Sequence, residues 1–187
     1  MSVTGKIRIV AGSAGGLWIK IPKKFPSRPT QDRIKQAIFS SLGSRIPGSR
    51  VIDLFAGTGN LGIEALSRGA DSALFVEQNK NCTAIIKENL TYCKLEGNVI
   101  AESVETFLAR QKEPLACDIC FLDPPYSKKP EQLNETVLYT SLAQVIPSQA
   151  LVIWEHASHD YFKESIDFKL LKHNRYGETS VLFLEKA

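Results

Sequence analysis

The sequence predicts an α/β domain: a seven-stranded, mostly parallel sheet with an antiparallel C-terminal hairpin, preceded by a small basic β-hairpin. Three observations lead there. From Val51 onward, short apolar runs alternate with longer amphipathic stretches, the pattern of strands joined by crossover helices. The last two runs leave no room for a helix, and Tyr176-Gly177-Glu178 between them reads as a tight turn. Before Val51, two short runs alternate apolar with polar or basic residues around Gly12-Ser13-Ala14-Gly15-Gly16.

Taken in order, Ile7 and Ile9, then Leu17, Ile19 and Ile21, mark the two hairpin strands within residues 7–21. A connector with prolines at 22, 26 and 29 follows. Thr30 caps a helix with Asp32 in its first turn, and Ile34, Ala37, Ile38, Phe39 and Leu42 form its apolar face. Pro47-Gly48 ends that helix. Strands are expected over 51–56, 72–77, 98–101, 117–122, 149–155, 166–173 and 179–185. Helices fit near 60–68, 79–93, 103–111 and 131–145. The division expected is residues 1–29 as basic hairpin and connector, and 30–187 as the main domain.

At 187 residues, with 43% hydrophobic and 23% charged residues, the chain matches a single soluble domain with a sizeable core. No apolar run approaches the length of a membrane span, and Met1–Gly12 lacks the apolar stretch of a signal peptide. A cytoplasmic location is therefore expected. Cys117 and Cys120 form a C-x-x-C, but it falls in a strand and has no second pair at zinc spacing, so they read as small hydrophobes. His156, His159 and His173 show no metal spacing, and no metal is expected.

The net charge of +3 conceals an asymmetry. Residues 1–50 carry ten Lys/Arg and one acid, against thirteen Lys/Arg and nineteen acids in the remainder. A basic segment on an otherwise acidic domain points to a polyanionic partner, most simply nucleic acid. Lys6, Arg8, Lys20, Lys23, Lys24 and Arg28 lie outside any amphipathic helix, and together with Thr30 and Arg33 they are the candidate substrate-binding residues.

Two motifs carry chemistry. Val51–Ala56 leads into Gly57-Thr58-Gly59-Asn60-Leu61-Gly62, a G-x-G-x-x-G, with Glu77 twenty residues after Gly57. Such glycines let a ligand lie against backbone, and the acid can hold ribose hydroxyls. Both features serve NAD and S-adenosylmethionine alike. Asp53, inside the first strand, favours the second, because a carboxylate opposes a pyrophosphate and suits a sulfonium and an ammonium. The other motif is Asp123-Pro124-Pro125-Tyr126, at the exit of the run Ile119–Leu122. It offers a carboxylate, a peptide carbonyl and an aromatic face, a set that can hold and stack a planar heterocyclic amine. In a doubly wound sheet, the loops after the first and fourth strands face one cleft.

D-x-F-x-G-x-G followed by D-P-P-Y resembles the class I S-adenosylmethionine-dependent N-methyltransferases, which have a Rossmann-like sheet. Ile7-Arg8-Ile9-Val10-Ala11-Gly12, Arg28-Pro29-Thr30-Gln31-Asp32-Arg33 and Tyr176-Gly177-Glu178-Thr179 resemble the bacterial 16S rRNA guanine-N2 methyltransferase (RsmD-like) family, from about Ile7 to Glu185. The resemblance implies that Asp123, Pro124, Pro125 and Tyr126 are catalytic. It implies that Asp53, Phe55, Gly57, Thr58, Gly59, Glu77, Gln78, Ser103 and Val104 bind S-adenosylmethionine. The partner implied is 16S rRNA or the small ribosomal subunit, and a monomer is expected. The chain departs from the family at Ser103-Val104, where an Asp-Ala pair is usual. The Ser103 hydroxyl is a neutral acceptor there, and Glu102 stands one residue away. Rival readings are an adenine-N6 methyltransferase, which the tetrapeptide serves equally well, a non-catalytic RNA-binding assembly protein, and a nicotinamide dehydrogenase.

Overall fold

The structure, a computed structural model, describes residues 3–22, 29–124, 135–157 and 166–187. A hairpin comes first, with β1 (Val3–Arg8) antiparallel to β2 (Trp18–Pro22). Helix α1 (Pro29–Leu42) follows, opening on a proline whose missing N–H is no loss in a first helical turn. Gly43, at φ 51°, ends it ahead of the expected Pro47-Gly48, and a short 3-10 turn covers Gly43–Arg45.

Beyond it the elements alternate: β3 (Arg50–Leu54), α2 (Asn60–Ser67), β4 (Ser72–Val76), α3 (Lys80–Cys93), β5 (Asn98–Ile100), α4 (Val104–Ala109), β6 (Ile119–Leu122), α5 (Glu135–Val145), β7 (Leu151–Ala157), β8 (Phe168–Tyr176) and β9 (Thr179–Lys186). The sheet order is β5-β4-β3-β6-β7-β9-β8. Strands β3 to β7 pair in parallel, whereas β9 is antiparallel to both β7 and β8. The chain reverses its direction of winding between β3 and β6, and the C-terminal ends there frame the cleft that open α/β sheets use. The seven strands, the parallel order and the C-terminal hairpin are those expected from the sequence. Gly177, at φ 63°, makes the two-residue turn between Tyr176 and Thr179.

The alternation of buried side chains divides the core by sheet face. Val51, Phe75, Ile119, Phe121, Ile153, Val181 and Phe183 pack with Ile34 and Ile38 of α1 and with hairpin residues Ile7, Ile9, Ile19 and Ile21. Ile52, Leu54, Cys120, Leu122, Val152 and Trp154 pack on the other face against Val104, Phe107, Leu108, Leu138 and Leu142. The hairpin therefore shares one apolar cluster with the sheet. Polar bonds add to this docking. The Glu64 carboxylate accepts the Val10 and Ala11 N–H groups at 2.7 and 3.1 Å. Asn89 accepts from Lys20 N at 2.9 Å and donates to Lys20 O at 3.0 Å.

All four cysteines are buried free thiols. Burial raises the thiol of Cys117 to about 12 and that of Cys82 to about 11, far from the range of reactive cysteines. Among the described residues no helix is long and apolar enough to cross a membrane.

Candidate functional site

The glycine loop is built by backbone geometry. Phe55, Gly57 and Gly59 all have positive φ, at 59, 54 and 80°. Phe55 is the informative one, because a non-glycine residue in that region carries strain that clusters at ligand sites. A Cβ added at Gly57 would meet only Phe55 O, at 3.9 Å, so this stretch of backbone lies open to a ligand. Gly62 is the opposite case. A Cβ there would sit 2.3 Å from Phe75 Cε1, so glycine is what lets α2 lie close on the sheet.

Helix α2 begins at Gly59, which brings no side chain to its orphan N–H groups. Asp53 supplies the acceptor from the strand beneath: its Oδ2 takes the Gly62 N–H at 2.8 Å. Asp53 is only 2% exposed, and burial raises its carboxyl to about 7, opposed by that bond and aided by Glu77. The sequence reading set Asp53 against the methionine end of the ligand, directly or through water. In the structure it lies beneath the loop, so charge is its route to the cleft.

Glu77, at the end of β4, is held by two N–H donors: Gly57 to Oε2 at 2.9 Å and Asn79 to Oε1 at 2.7 Å. Each oxygen keeps a lone pair for a ligand hydroxyl. Asn79 in turn caps α3 by accepting from Asn81 N and Cys82 N.

These groups share the wall of a cavity of about 450 Å³ with Asp123 and Pro124. Phe55, Gly57, Thr58, Gln78 and Val104 line it as well. Ile7 and Ile21 of the hairpin and Lys35 and Ile38 of α1 line it from the other direction. Asp53, Gly59 and Ser103 are not part of the wall. Asp123 is the first residue past β6, and burial, Glu155 and Asp53 together hold its carboxyl well above the usual range. A cationic ligand would reverse that balance. An open glycine backbone, a carboxylate with free lone pairs, apolar walls, a half-buried Asp123 and Asp53 buried beneath the loop suit an adenosyl ligand bearing positive charge.

A family model described as Conserved hypothetical protein 95 matches residues 7–185. The chain belongs to that family. It is 32% identical over 184 residues to the Bacillus subtilis protein YlbH, covering 96% of this chain and 99% of that one. It is 34% identical over 137 residues to the ribosomal RNA small subunit methyltransferase D of Escherichia coli K12, covering 73% of this chain and 67% of the other. The Escherichia coli protein yhhF superposes with a TM-score of 0.84 at 28% identity, over 97% and 98% of the two chains.

At the family's usual Asp-Ala position, Ser103 caps α4, accepting from Thr106 N at 3.1 Å. Glu102 is engaged by Arg110 at 2.6 and 2.8 Å. Of that pair, Val104 alone reaches the cavity wall. Lys6, Arg8 and Lys20 are exposed on the outer face of the hairpin, and Lys20 meets Glu88 at 2.8 Å. Arg33 is exposed on α1. Pro125, Tyr126, Lys23, Lys24 and Arg28 lie outside the described residues, as does the Thr30 side chain.

Sequence reasoning missed three features. Trp18, half exposed, sits opposite Arg8 on the basic face of the hairpin. Lys35 is 1% exposed, donates to Arg8 O and to Asn60 Oδ1 (2.8 Å for the latter), and lies 3.4 Å from Glu64. Burial lowers its ammonium pKa, partly offset by Glu64. A lysine between Ile34 and Ile38 on an apolar helix face was the available signal. The third is Glu155, in the cavity wall beside Asp123.

Proposed function

We infer that the chain is an S-adenosylmethionine-dependent methyltransferase that modifies the exocyclic N2 amine of a guanine in small-subunit 16S rRNA. The observation that carries this reading is the placement of Asp123 and Pro124 in one cavity with the Gly57 loop and Glu77, in a chain of this family. The rRNA substrate is supported by the names of its relatives and by the basic hairpin that adjoins the cavity.

S-adenosylmethionine, when bound, supplies an electrophilic methyl group on a sulfonium. Glu77 would hold its ribose hydroxyls, with Gly57 and Thr58 against it and Phe55 and Val104 at its apolar faces. Asp123 and the Pro124 carbonyl accept the two amine hydrogens, which favours a pyramidal nitrogen with its lone pair aimed at the methyl carbon. On transfer of the methyl group the nitrogen would give up one proton, and Asp123 or water would take it. Positioning and charge complementarity supply the acceleration. Tyr126 would stack on the base, which must be unpaired or flipped to reach this depth. Lys6, Arg8, Lys20, Lys23, Lys24, Arg28 and Arg33 would meet the phosphates.

Asp123→Ala tests the reading. Labelled-methyl transfer to small-subunit RNA should fall at least a thousandfold, with S-adenosylhomocysteine affinity changed by less than about threefold. Retained transfer would remove Asp123 from the reaction. Nucleoside mass spectrometry of rRNA from a strain lacking the gene separates the rivals: loss of N2-methylguanosine supports this reading, and loss of N6-methyladenosine supports the adenine one.

A further inference from the structure

Asp123 and Pro124 alone serve guanine and adenine equally, so selectivity must come from a neighbouring group. The strand register supplies one. Phe121 pairs with Ile153 and Leu122 with Trp154 in the parallel β6–β7 ladder. Asp123 and Glu155 are the residues that follow Leu122 and Trp154 in their two chains, on neighbouring strands roughly 4.8 Å apart. Both share the parity of Phe121 and Ile153, whose side chains pack in the same cluster as α1 and the hairpin. Glu155 is half-buried and lines the cavity with Asp123. Along the sheet edge the order is Glu77, the Gly57 loop, Asp123, Glu155, following β4, β3, β6 and β7. Glu155 therefore stands beside the amine holder, on the side away from the cofactor loops.

Two adjacent carboxylates ask for two adjacent donors. On the pairing edge of guanine, the N2 amine sits next to N1–H. On adenine, the N6 amine sits next to a bare N1 lone pair. With the amine held at Asp123 and Pro124, a carboxylate at the next position bonds guanine and repels adenine.

We propose that Glu155 accepts the N1–H of the target guanine and thereby selects guanine over adenine, an assignment that rests on the guanine-N2 reading above. A site built to bond an N–H discriminates against an analogue lacking it, because a lone pair then faces the carboxylate where a donor should be. 2-Aminopurine keeps the N2 amine but carries a bare N1.

The test first maps the modified guanine in small-subunit RNA from a strain lacking the gene. 2-Aminopurine is then placed at that position by splinted ligation, and the RNA is offered both free and in reconstituted subunits. Wild type should prefer guanine by at least about a hundredfold in kcat/KM. Glu155→Gln can turn its amide N–H toward the bare N1, so its preference should narrow at least tenfold, with Tm and S-adenosylhomocysteine affinity unchanged. Glu155→Asp should keep the guanine preference at a reduced rate. Equal use of both bases by wild type, or an unaltered ratio in Glu155→Gln, overturns the assignment. Absence of any N2-methylguanine from wild type instead overturns the reading beneath it.

Discussion

Replacing Asp53 by Asn separates the cost of a buried charge from the bond that charge makes. Asn keeps an oxygen for the Gly62 N–H but cannot ionise. In the ligand-free protein the Asp53 carboxyl titrates at about 7, against 3.8 when unperturbed. The folded state therefore holds a proton that the unfolded state has released. The stability this confers is complete below pH 3.8 and is lost as pH rises through about 7. Its full span is on the order of 4 kcal/mol, at about 1.36 kcal/mol per unit. Between pH 5 and pH 8 the wild type should lose roughly 3 kcal/mol through this group, and Asp53→Asn should not. With a urea m-value of about 2 kcal/mol/M, the gap between their unfolding midpoints should move by on the order of 1 M in favour of the variant. Asp123 is shifted in the same direction, and Asp118, bonded to Arg50, in the opposite one. Asp118 contributes to each protein and cancels in the comparison; Asp123 is raised in part by Asp53, so its upward shift is smaller in the variant and the difference moves the same way. A midpoint gap that stays constant from pH 5 to pH 8 would mean that Asp53 is already ionised at pH 5, and would refute the reasoning.

Lys35→Met leaves Glu64 buried with only Arg68 as its cation, and should cost about 3 kcal/mol in urea unfolding; a loss below about 1 kcal/mol would show that the network is dispensable. Lys6→Glu with Arg8→Glu should weaken rRNA binding and flatten its log-affinity against log-salt slope by about 1.5, whereas Trp18→Ala should weaken binding roughly tenfold without altering the slope. Filter binding across a salt series distinguishes the two. Gly62→Ala should destabilise by about 1–3 kcal/mol, because the new methyl meets the Phe75 ring; an unchanged Tm would mean that α2 rests less closely on the sheet.

The architecture was legible where burial governs the residue pattern. Ile119–Leu122 and Leu151–Trp154 are apolar on both faces, as strands covered by helices must be, and they were placed within two residues. The end of β8 was not, since Asn174-Arg175-Tyr176 lies on a sheet edge and the register shifts between Leu170 and Lys172, which breaks the alternation. The cavity lining announced itself where a motif carries it, as in the Gly57–Gly62 loop, at Glu77 twenty residues after Gly57, and at Asp123–Pro124. Glu155 resembles an ordinary polar residue at a strand exit, and only the neighbouring of β6 and β7 brings it into one cavity with Asp123. The Lys35–Glu64 pair is likewise a product of packing between elements, and no local window contains both partners.

The docking of the hairpin has a consequence for biosynthesis. Its partners are distant in the chain: Glu64 lies 54 residues beyond Val10, and Asn89 lies 69 beyond Lys20. A two-stranded hairpin is marginal by itself in water. At about 5–20 residues per second, residues 3–22 wait several seconds after leaving the ribosome before α3 can receive them. Asn89 also donates to Thr58 O in the glycine loop, at 3.2 Å. A nascent chain thus acquires its basic surface only once the segment that shapes the glycine loop has emerged, so under the proposed function an incomplete chain would lack the folded surface that meets RNA.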